Sequence, residues 1–409
     1  MTIPSRVTEL ARSISQSGGR LFAVGGWVRD NIAGRLSKDI DLEAHSITSE
    51  DLEKVLVEHG KVDFVGKSFG VYKVTIDGQT LDVSLPRRDS SPTSVQPDPF
   101  MGPTEAARRR DITINAIMLD PLSQEIVDPY DGVTDLNNGI LREVDSKLFG
   151  DDPLRVMRVV RFASIFEFEI TESLASICRD CDLSSTPVER IINELHRIML
   201  ESPHPQVALR VLLALNQMVT VIPFATESSI KKMSENWARA SKLRRHLESD
   251  GQRLVLMWGA ILQSSGETAA KALSHYKIKR YGRTPLERPV TGLLKTLRSD
   301  FESLDTTLRT LAEHCDISVG IALYIATSSD LPKGYDFSTL YSRAKVLNIE
   351  RGPLPSLVDG QILSELGVAG GPEMGHWIKS VRHKQLSGQL STRAEAQEWL
   401  VNNLNTSGD

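Results

Sequence analysis

The sequence predicts an α+β protein in which a mixed α/β head is followed by an all-α remainder. Short apolar and β-branched segments, bounded by glycines, are concentrated before residue 142. From Leu148 onward, helical periodicity and polar connections replace them. A length of 409 residues is enough for two or three domains with buried cores. We therefore predict a head at residues 1–142, a helical neck at 143–225, and a helical body and tail at 226–409.

Composition and charge exclude several classes of protein. The hydrophobic content of 40% and charged content of 25% are ordinary for a water-soluble chain. The net charge of −5 provides no overall basic field, so any contact with nucleic acid must come from a local basic surface. No stretch of 18 apolar residues and no signal-peptide core are visible in the sequence. We expect a cytoplasmic protein that has neither a membrane nor DNA as a partner.

The head elements follow from periodicity and capping signals. An amphipathic helix is predicted within Met1–Gly19, and a second helix begins at the Thr48 cap and runs to about His59. The apolar face of the first helix comprises Val7, Leu10, Ala11 and Ile14. Alternating residues predict strands at Val62–Val65, Val71–Ile76 and Thr80–Leu85. The Pro-, Ser- and Asp-rich segment Pro86–Pro103 is typical of a mobile loop.

The most informative segment is Leu21–Glu43, which predicts a strand, a glycine turn, a short helix and a second strand. Gly25 and Gly26 allow a sharp turn and a close approach of the backbone to a ligand, because they have no Cβ. The helix after them would direct its free N–H groups at an anion, and Arg29 adds a positive charge there. The turn therefore predicts a phosphate site.

Two acidic residues follow this turn. In a strand, Asp39 and Asp41 would face the same way, and two like charges this close require a cation between them. Mg²⁺ suits a few carboxylates combined with substrate phosphates. Asp82, in the last predicted strand, is a candidate third carboxylate, although a solvated strand residue explains it equally well. The alternative for the whole segment is a glycine turn followed by a solvated acidic strand.

The motif GGWVRD followed by DID resembles the nucleotidyltransferase superfamily of DNA polymerase β. Within it, the form resembles the branch of CCA-adding tRNA nucleotidyltransferases and bacterial poly(A) polymerases. RRRDITINA resembles the RRD and T-x-N-A pattern of this family, and the resemblance assigns Arg110 to nucleotide phosphate. Asp128–Gly132 resembles its DP(F/Y)-x-G turn. The resemblance implies a polymerase-β-like head and a catalytic role for Asp39 and Asp41, and Asp82 is added as a catalytic candidate from its strand position alone.

A second informative segment begins at Asp151. Between Asp152 and Phe162, polar side chains recur every third residue and the rest are apolar, which predicts a helix that is buried except for one polar stripe. The stripe consists of Asp152, Arg155, Arg158 and Arg161. Buried guanidinium groups require anions, and a triphosphate would supply them. The alternative is a ladder of Asp–Arg pairs with arginines bound to carbonyl groups.

This segment resembles the family's E-D-x-x-R motif, which selects the nucleobase, with Asp151 in place of Glu. A carboxylate only accepts hydrogen bonds and a guanidinium only donates them. Cytosine and adenine both present an amino donor beside a ring-nitrogen acceptor, whereas uracil and guanine present the reverse order. Asp152 and Arg155 would therefore accept C and A, while Asp151 would orient Arg155 or cap the helix. Glu189–Leu195 resembles the family's ERI-x-x-EL helix, which supports this motif.

The resemblance implies template-independent addition of C and A to the 3′ end of tRNA, from CTP and ATP, with Mg²⁺ as cofactor and pyrophosphate as product. A partial enzyme that adds only CC or only A remains open, as does a poly(A) polymerase. The segment Gly66–Phe69 and the terminal NNLNTSGD lack the basic features usual in poly(A) polymerases, which favours tRNA. An RNA-binding scaffold with an inactive head is the non-enzymatic alternative, and the intact acids argue against it.

Overall fold

The computed structural model divides into two compact units, Met1–Leu195 with Val207–Val221, and His196–Gln206 with Ile222–Asp409. It describes residues 2–35, 39–66, 70–91, 94–265, 269–299, 303–329, 331 and 334–404. The first unit contains the whole predicted head and most of the predicted neck. Lys67–Phe69 and the last five residues, used above to weigh a poly(A) polymerase, lie outside the described part of the chain.

The elements between residues 5 and 221 are a mixture of strands and helices before residue 139 and are mainly helices after it. In chain order they are α1 Ser5–Gln16, β1 Arg20–Val24, α2 Gly26–Ile32, β2 Asp41–His45, α3 Ser49–His59, β3 Lys61–Gly66, β4 Val71–Ile76, β5 Gln79–Ser84, β6 Arg87–Ser91, β7 Ser94–Pro97, α4 Pro103–Arg108, β8 Met118–Leu119, β9 Ile126–Val127, α5 Gly132–Asn138, β10 Ile140–Leu141, α6 Leu154–Phe166, β11 Glu169–Ile170, α7 Glu172–Asp180, α8 Val188–Glu201, α9 Pro205–Ala214 and α10 Met218–Val221.

The head is built on one seven-stranded mixed sheet, with the strand order β3-β4-β5-β2-β1-β8-β9. β2 and β5 are parallel, and the other neighbouring strands are antiparallel. The predicted α+β class is therefore confirmed. Strands β1 and β2 are buried along most of their length, since each has four buried residues after an exposed first residue.

Several predicted elements are present with small shifts of their ends. The four residues expected on the apolar face of α1 are its buried residues. The Thr48 hydroxyl accepts a hydrogen bond from the Asp51 amide and caps α3 as expected. The predicted strand Asp39–Asp41 is different, because β2 begins only at Asp41 and Asp39 precedes it.

The predicted loop at Pro86–Pro103 is wrong over most of its length. It contains the antiparallel hairpin β6–β7, and α4 begins at its last residue. The base of the hairpin is closed by a hydrogen bond from the Asp98 amide to the Pro86 carbonyl. Backbone pairing does not require apolar side chains, so a polar composition that is typical of loops did not reveal these strands.

Among its described residues, the second unit is helical apart from one pair of two-residue strands. Its further elements are α11 Glu227–Leu243, α12 Asp250–Leu262, α13 Ala269–His275, β12 Arg280–Tyr281, β13 Thr284–Pro285, α14 Glu287–Leu297, α15 Leu304–Ala312, α16 Ile317–Thr327, α17 Phe337–Val346, α18 Gly360–Glu365, α19 Pro372–Leu386 and α20 Arg393–Leu404. Trp237 and Trp258 are fully buried on α11 and α12. Helices α18 to α20 enclose a separate cluster around Leu363 and Trp377. Among the described residues, none of the helices has the length and apolar character needed to span a membrane.

Candidate functional site

A cavity of about 510 Å³ opens in the first unit beside β2, β4 and β5. Its wall combines carboxylates, cations and apolar side chains: Val24, Asp41, Leu42, Glu43, Val71, Lys73, Asp82, Val83, Ser84, Leu85, Arg87, Ala106, Arg109, Arg110 and Arg155. Four of the residues predicted from the sequence therefore meet there, namely Asp41, Asp82, Arg110 and Arg155. Carboxylates such as Asp41 and Asp82, together with several cations, form a site that suits a polyanion and a metal ion.

Strand register brings the two carboxylates together. Asp41 pairs with Asp82 across the parallel β2–β5 ladder. Lys73 pairs with Asp82 from the other side, and its Nζ lies 3.3 Å from Asp82 Oδ1. Residues paired in register project from the same face of a sheet. The cavity floor therefore carries one cation, Lys73, followed by two neighbouring carboxylates, Asp82 and Asp41.

The environment of Asp41 raises the pKa of its carboxyl group above the ordinary value. Partial burial is the main cause, and the neighbouring Asp82 and Asp39 act in the same direction, while Arg110 opposes them. A carboxylate among other carboxylates is stabilised by a bound cation. Over the described ranges, His, Cys, Asp and Glu side chains form no group of three or more that is arranged to hold a metal ion. Any ion here would therefore need oxygen ligands from a substrate as well.

Gly25 forms the turn between β1 and α2. Its φ of 68° and ψ of −133° lie in a region that L side chains rarely adopt. A Cβ at this position would lie 3.6 Å from Arg110 Nη1 and 4.0 Å from Asp41 Oδ2. Val24, the last residue of β1, pairs with Asp41, so the turn that follows it lies next to the Asp41 carboxylate. The predicted closeness of the glycine turn to the acids is thus present, and Gly26 begins α2 beside it.

Glu43 and His45 form a buried polar chain along β2, and Glu43 is also part of the cavity wall. Arg110 Nη2 donates to Glu43 Oε2 at 3.1 Å, and a His45 ring nitrogen lies 3.0 Å from Glu43 Oε1. Burial alone would raise the pKa of Glu43, but the bonds and charges of His45 and Arg110 outweigh it and lower the pKa. Glu43 is therefore an anion held by two partners.

Arg29, predicted to bind phosphate, is instead directed into the protein. It is 7% exposed, pairs with Asp30 and donates to Asn115 Oδ1 at 2.6 Å. Its guanidinium also lies over the rings of Phe162 and Phe166. Burial lowers its pKa, and Asp30 partly offsets this effect. Arg29 is outside the cavity wall and joins α2 to α6.

Arg158 and Arg161 also have protein partners where a triphosphate was predicted. Arg158 Nε donates to the fully buried Asp111 at 2.6 Å, and Arg161 Nε donates to Glu194 at 2.7 Å. Although burial acts to raise the pKa of Asp111, Arg158 and the adjacent N–H groups lower it to about 2. The alternative expected from the sequence, arginines paired with acids, describes these two residues. They tie α6 to the head and to α8.

Asp152 and Arg155 lie at the start of α6, on either side of its first residue. Asp152 precedes the helix, and its Oδ1 accepts the Leu154 amide at 3.2 Å. Arg190 on α8 donates to both oxygens of Asp152, at 3.3 and 2.9 Å. Arg155 is held by the carbonyls of Leu148 and Arg109 and lines the cavity. Asp151 ends a short 3-10 turn before them.

Sequence reasoning missed four charged residues of the cavity wall: Glu43, Lys73, Arg87 and Arg109. Lys73 could have been found, since the hairpin register places it opposite Asp82 once the turn at Asp77-Gly78 is fixed. Arg109 belongs to the run of three arginines before Asp111, and the sequence does not distinguish it from its neighbours. Nothing in the local sequence around Arg87 distinguishes it from a solvated residue at the start of a hairpin.

Comparison with known proteins gives matches along the whole chain. Residues 21–142 match the family model described as the poly A polymerase head domain. The chain is 26% identical to the CCA-adding enzyme of Lactobacillus helveticus over 404 residues, covering 96% of this chain and 95% of that protein. It is 27% identical to the CC-adding tRNA nucleotidyltransferase of Geobacter sulfurreducens over 429 residues, covering 98% and 95%.

A solved structure has the same fold. The CCA-adding enzyme of Bacillus stearothermophilus, determined in complex with CTP, superposes with a TM-score of 0.76 at 22% identity. The alignment covers 100% of this chain and 99% of that one. At this identity the likeness establishes the fold of the head and of the helical remainder.

Proposed function

The chain belongs to the tRNA nucleotidyltransferase and poly(A) polymerase family, and we propose that it adds C and A to the 3′ end of tRNA without a nucleic-acid template. CTP and ATP are the substrates and pyrophosphate is the product. The observation that carries this proposal is the cavity in which Asp41 and Asp82 face Arg110, Arg155 and Lys73. Full-length similarity to enzymes that are named for adding CCA or CC supports it.

The family implies a divalent metal ion, and the residues present suit Mg²⁺. Asp41 and Asp39 would hold it, because burial and neighbouring carboxylates raise the pKa of Asp41, and a bound cation would stabilise its ionised form. Asp82 is the candidate for a third ligand through its register with Asp41. When bound, the ion would activate the terminal hydroxyl of the tRNA and neutralise charge on the α-phosphate.

The cations of the cavity would hold the triphosphate. Arg110 lies beside the glycine turn, where the backbone comes closest to the carboxylates. Arg87, Arg109 and Lys73 add positive charge along the same wall. Together they would orient the α-phosphate toward the tRNA hydroxyl and stabilise the leaving pyrophosphate. Arg29, Arg158 and Arg161 keep their internal partners and support this wall from behind.

Asp152 and Arg155 would read the base edge at the start of α6. A carboxylate beside a guanidinium matches the donor–acceptor order of cytosine and adenine and opposes that of uracil and guanine. Arg155 lines the cavity, and Asp152 is two residues from Leu154, where α6 begins. The protein would thus act as the template. With tRNA as its substrate, its proposed location is the cytoplasm.

Incubation with tRNA that ends before CCA tests the proposal. With both CTP and ATP we expect three nucleotides to be added, and with CTP alone two. A product that stops at CC even with ATP would identify a partial enzyme, the second candidate, which the similarity to the Geobacter protein favours. Long A tails with ATP alone would identify a poly(A) polymerase. No extension with any nucleotide would overturn the proposal.

A further inference from the structure

Helix α4 lies beside the cavity and is attached to β2 at both of its ends. Before its first residue, the Met101 carbonyl oxygen lies 2.9 Å from the Nδ1 of His45. After its last residue, Arg110 donates to Glu43. Glu43 and His45 are neighbours on one face of β2 and are joined to each other at 3.0 Å. A continuous chain of contacts therefore runs from Met101 through both residues to Arg110.

The position of Arg110 depends on this chain. Arg110 lies two residues after the end of α4, and its guanidinium reaches the cavity beside Gly25. A long arginine side chain loses rotamer entropy when it is held in one orientation, so a fixed guanidinium needs a partner. Glu43 is 8% exposed and anchored by His45, which itself packs edge-on against Phe22 at 5.3 Å between ring centroids. The anchor is rigid, and Arg110 takes its orientation from it.

The bond to Glu43 leaves capacity on Arg110 for a ligand. A guanidinium has five N–H donors in a planar fork. Glu43 accepts from Nη2, while Nη1 lies on the side of the glycine turn, 3.6 Å from where a Gly25 Cβ would stand. A charge-assisted bond on one side of the fork fixes the plane of the other side. The geometry suits a phosphate oxygen between the turn and Nη1.

We propose that Glu43 is a positioning residue that acts through Arg110 and sets the affinity for the nucleotide triphosphate. His45 is a second positioning residue, because it contacts both Glu43 and the Met101 carbonyl before α4. This inference rests on the proposed function and adds to it a residue that acts through another side chain. The simplest alternative is a buried ion pair that serves folding alone.

A double-mutant cycle on Glu43 and Arg110 separates the two possibilities. We expect Glu43→Ala to raise the KM for both CTP and ATP about tenfold, with a smaller change in kcat, since a charge-assisted hydrogen bond is lost. Arg110→Ala should raise the KM at least as much. The double variant should be no worse than Arg110→Ala, because Glu43 then has nothing to position. Glu58→Ala, at an exposed site on α3, is the matched control.

Glu43→Gln keeps the size of the side chain and one acceptor oxygen, so it should restore a KM within about threefold of wild type. If the Glu43→Ala variant does not fold, the KM of Glu43→Gln still tests the inference. Additive effects in the cycle, or Glu43→Gln and Glu43→Ala variants that fold and keep the wild-type KM, would overturn the inference. An unchanged KM in Arg110→Ala would overturn it as well. Failure of the wild-type chain to extend tRNA would instead overturn the proposed function.

Discussion

Asp41 combines a defined position with an unfavourable charge environment. It is the first residue of β2 and lies next to Asp82, and burial and neighbouring acids raise the pKa of its carboxyl group. Carboxylates held in this way resist ionisation unless a cation is present. Residues of this kind commonly belong to functional sites, since structural stability would favour a neutral side chain there.

Replacing Asp41 or Asp39 with Ala should abolish nucleotide addition, because the carboxylate pair proposed to hold Mg²⁺ is lost. Thermal unfolding should be unchanged or shift upward, since like charges are removed. Rates of CTP and ATP incorporation into tRNA are the measurement, and Glu58→Ala is the control. Near-normal rates in both aspartate variants would contradict the proposed metal site.

Base choice is a second property at the residue scale. Asp152→Ala should let UTP and GTP compete, and Arg155→Ala should lower the use of CTP and ATP together. Loss of one base-edge contact should relax discrimination by about 1–3 kcal/mol. Asp151→Glu, a change outside the proposed contact, should have little effect. Kinetics with all four nucleotides provide the test, and full selectivity in Asp152→Ala would exclude its templating role.

At the scale of elements, the turn between β1 and α2 places the backbone beside the acids. Gly25→Ala should reduce nucleotide addition at least tenfold and destabilise the fold by about 1–3 kcal/mol, because its backbone conformation is strained for any residue with a Cβ. Gly34→Ala is the matched control, since Gly34 also has positive φ, 68°, but open space around it. Activity and denaturant unfolding should be measured on both. Equal loss of activity in the two variants would argue against a special role for this turn.

The contact of His196 with Trp258, both in the second unit, should make stability depend on pH. Trp258 Nε1 donates to His196 Nε2 at 3.1 Å, and burial lowers the pKa of His196 to about 4. The unfolded chain therefore binds a proton more readily than the folded one between about pH 6.5 and 4. The stability from neutral His196 is complete above that range and is lost as the pH falls through it.

Wild type should therefore lose on the order of 3 kcal/mol more than His196→Gln between pH 7 and pH 4. Glutamine can still accept from Trp258 but does not titrate in this range. Denaturant unfolding at a series of pH values gives the difference, in which the other titrating groups cancel. Parallel curves for the two proteins would contradict the assignment.

At the scale of the whole molecule, the C-terminal segment has its own hydrophobic cluster and is joined to the rest of the second unit by polar contacts. Arg382 on α19 pairs with Glu313, which follows α15, and Arg309 on α15 donates to the Leu386 carbonyl at 3.2 Å. Such a segment can be removed with less damage than a shared core would allow.

Removal of residues 352–409 should weaken tRNA binding more than CTP binding, because the nucleotide cavity lies in the first unit. Filter binding of tRNA and equilibrium binding of CTP on the same truncated protein test this. Retained secondary structure in circular dichroism is the control for folding. An equal loss of both affinities in a folded protein would count against tRNA recognition by the tail.

The sequence by itself determined the fold class and pointed to the segments that line the candidate site. The glycine turn, the two acids after it and the basic run before Asp111 are local patterns, and each has few structural solutions. The buried face of α1 and the Thr48 cap were likewise predictable, because helical periodicity and capping depend on neighbours within a few residues. The β6–β7 hairpin was missed, since its side chains give no apolar alternation.

Only the tertiary structure decided which charged residues face the cavity. Arg158 and Arg161 have the same spacing as Arg155, yet both pair with carboxylates from distant segments. Arg29, beside the glycine turn, likewise has a distant partner in Asn115. Glu43 reads as one more acid of a strand, and its bond to Arg110 spans 67 positions in the chain. Whether a buried cation binds a ligand or a neighbouring carboxylate depends on which segments pack against it. The local sequence does not show which distant segments these are.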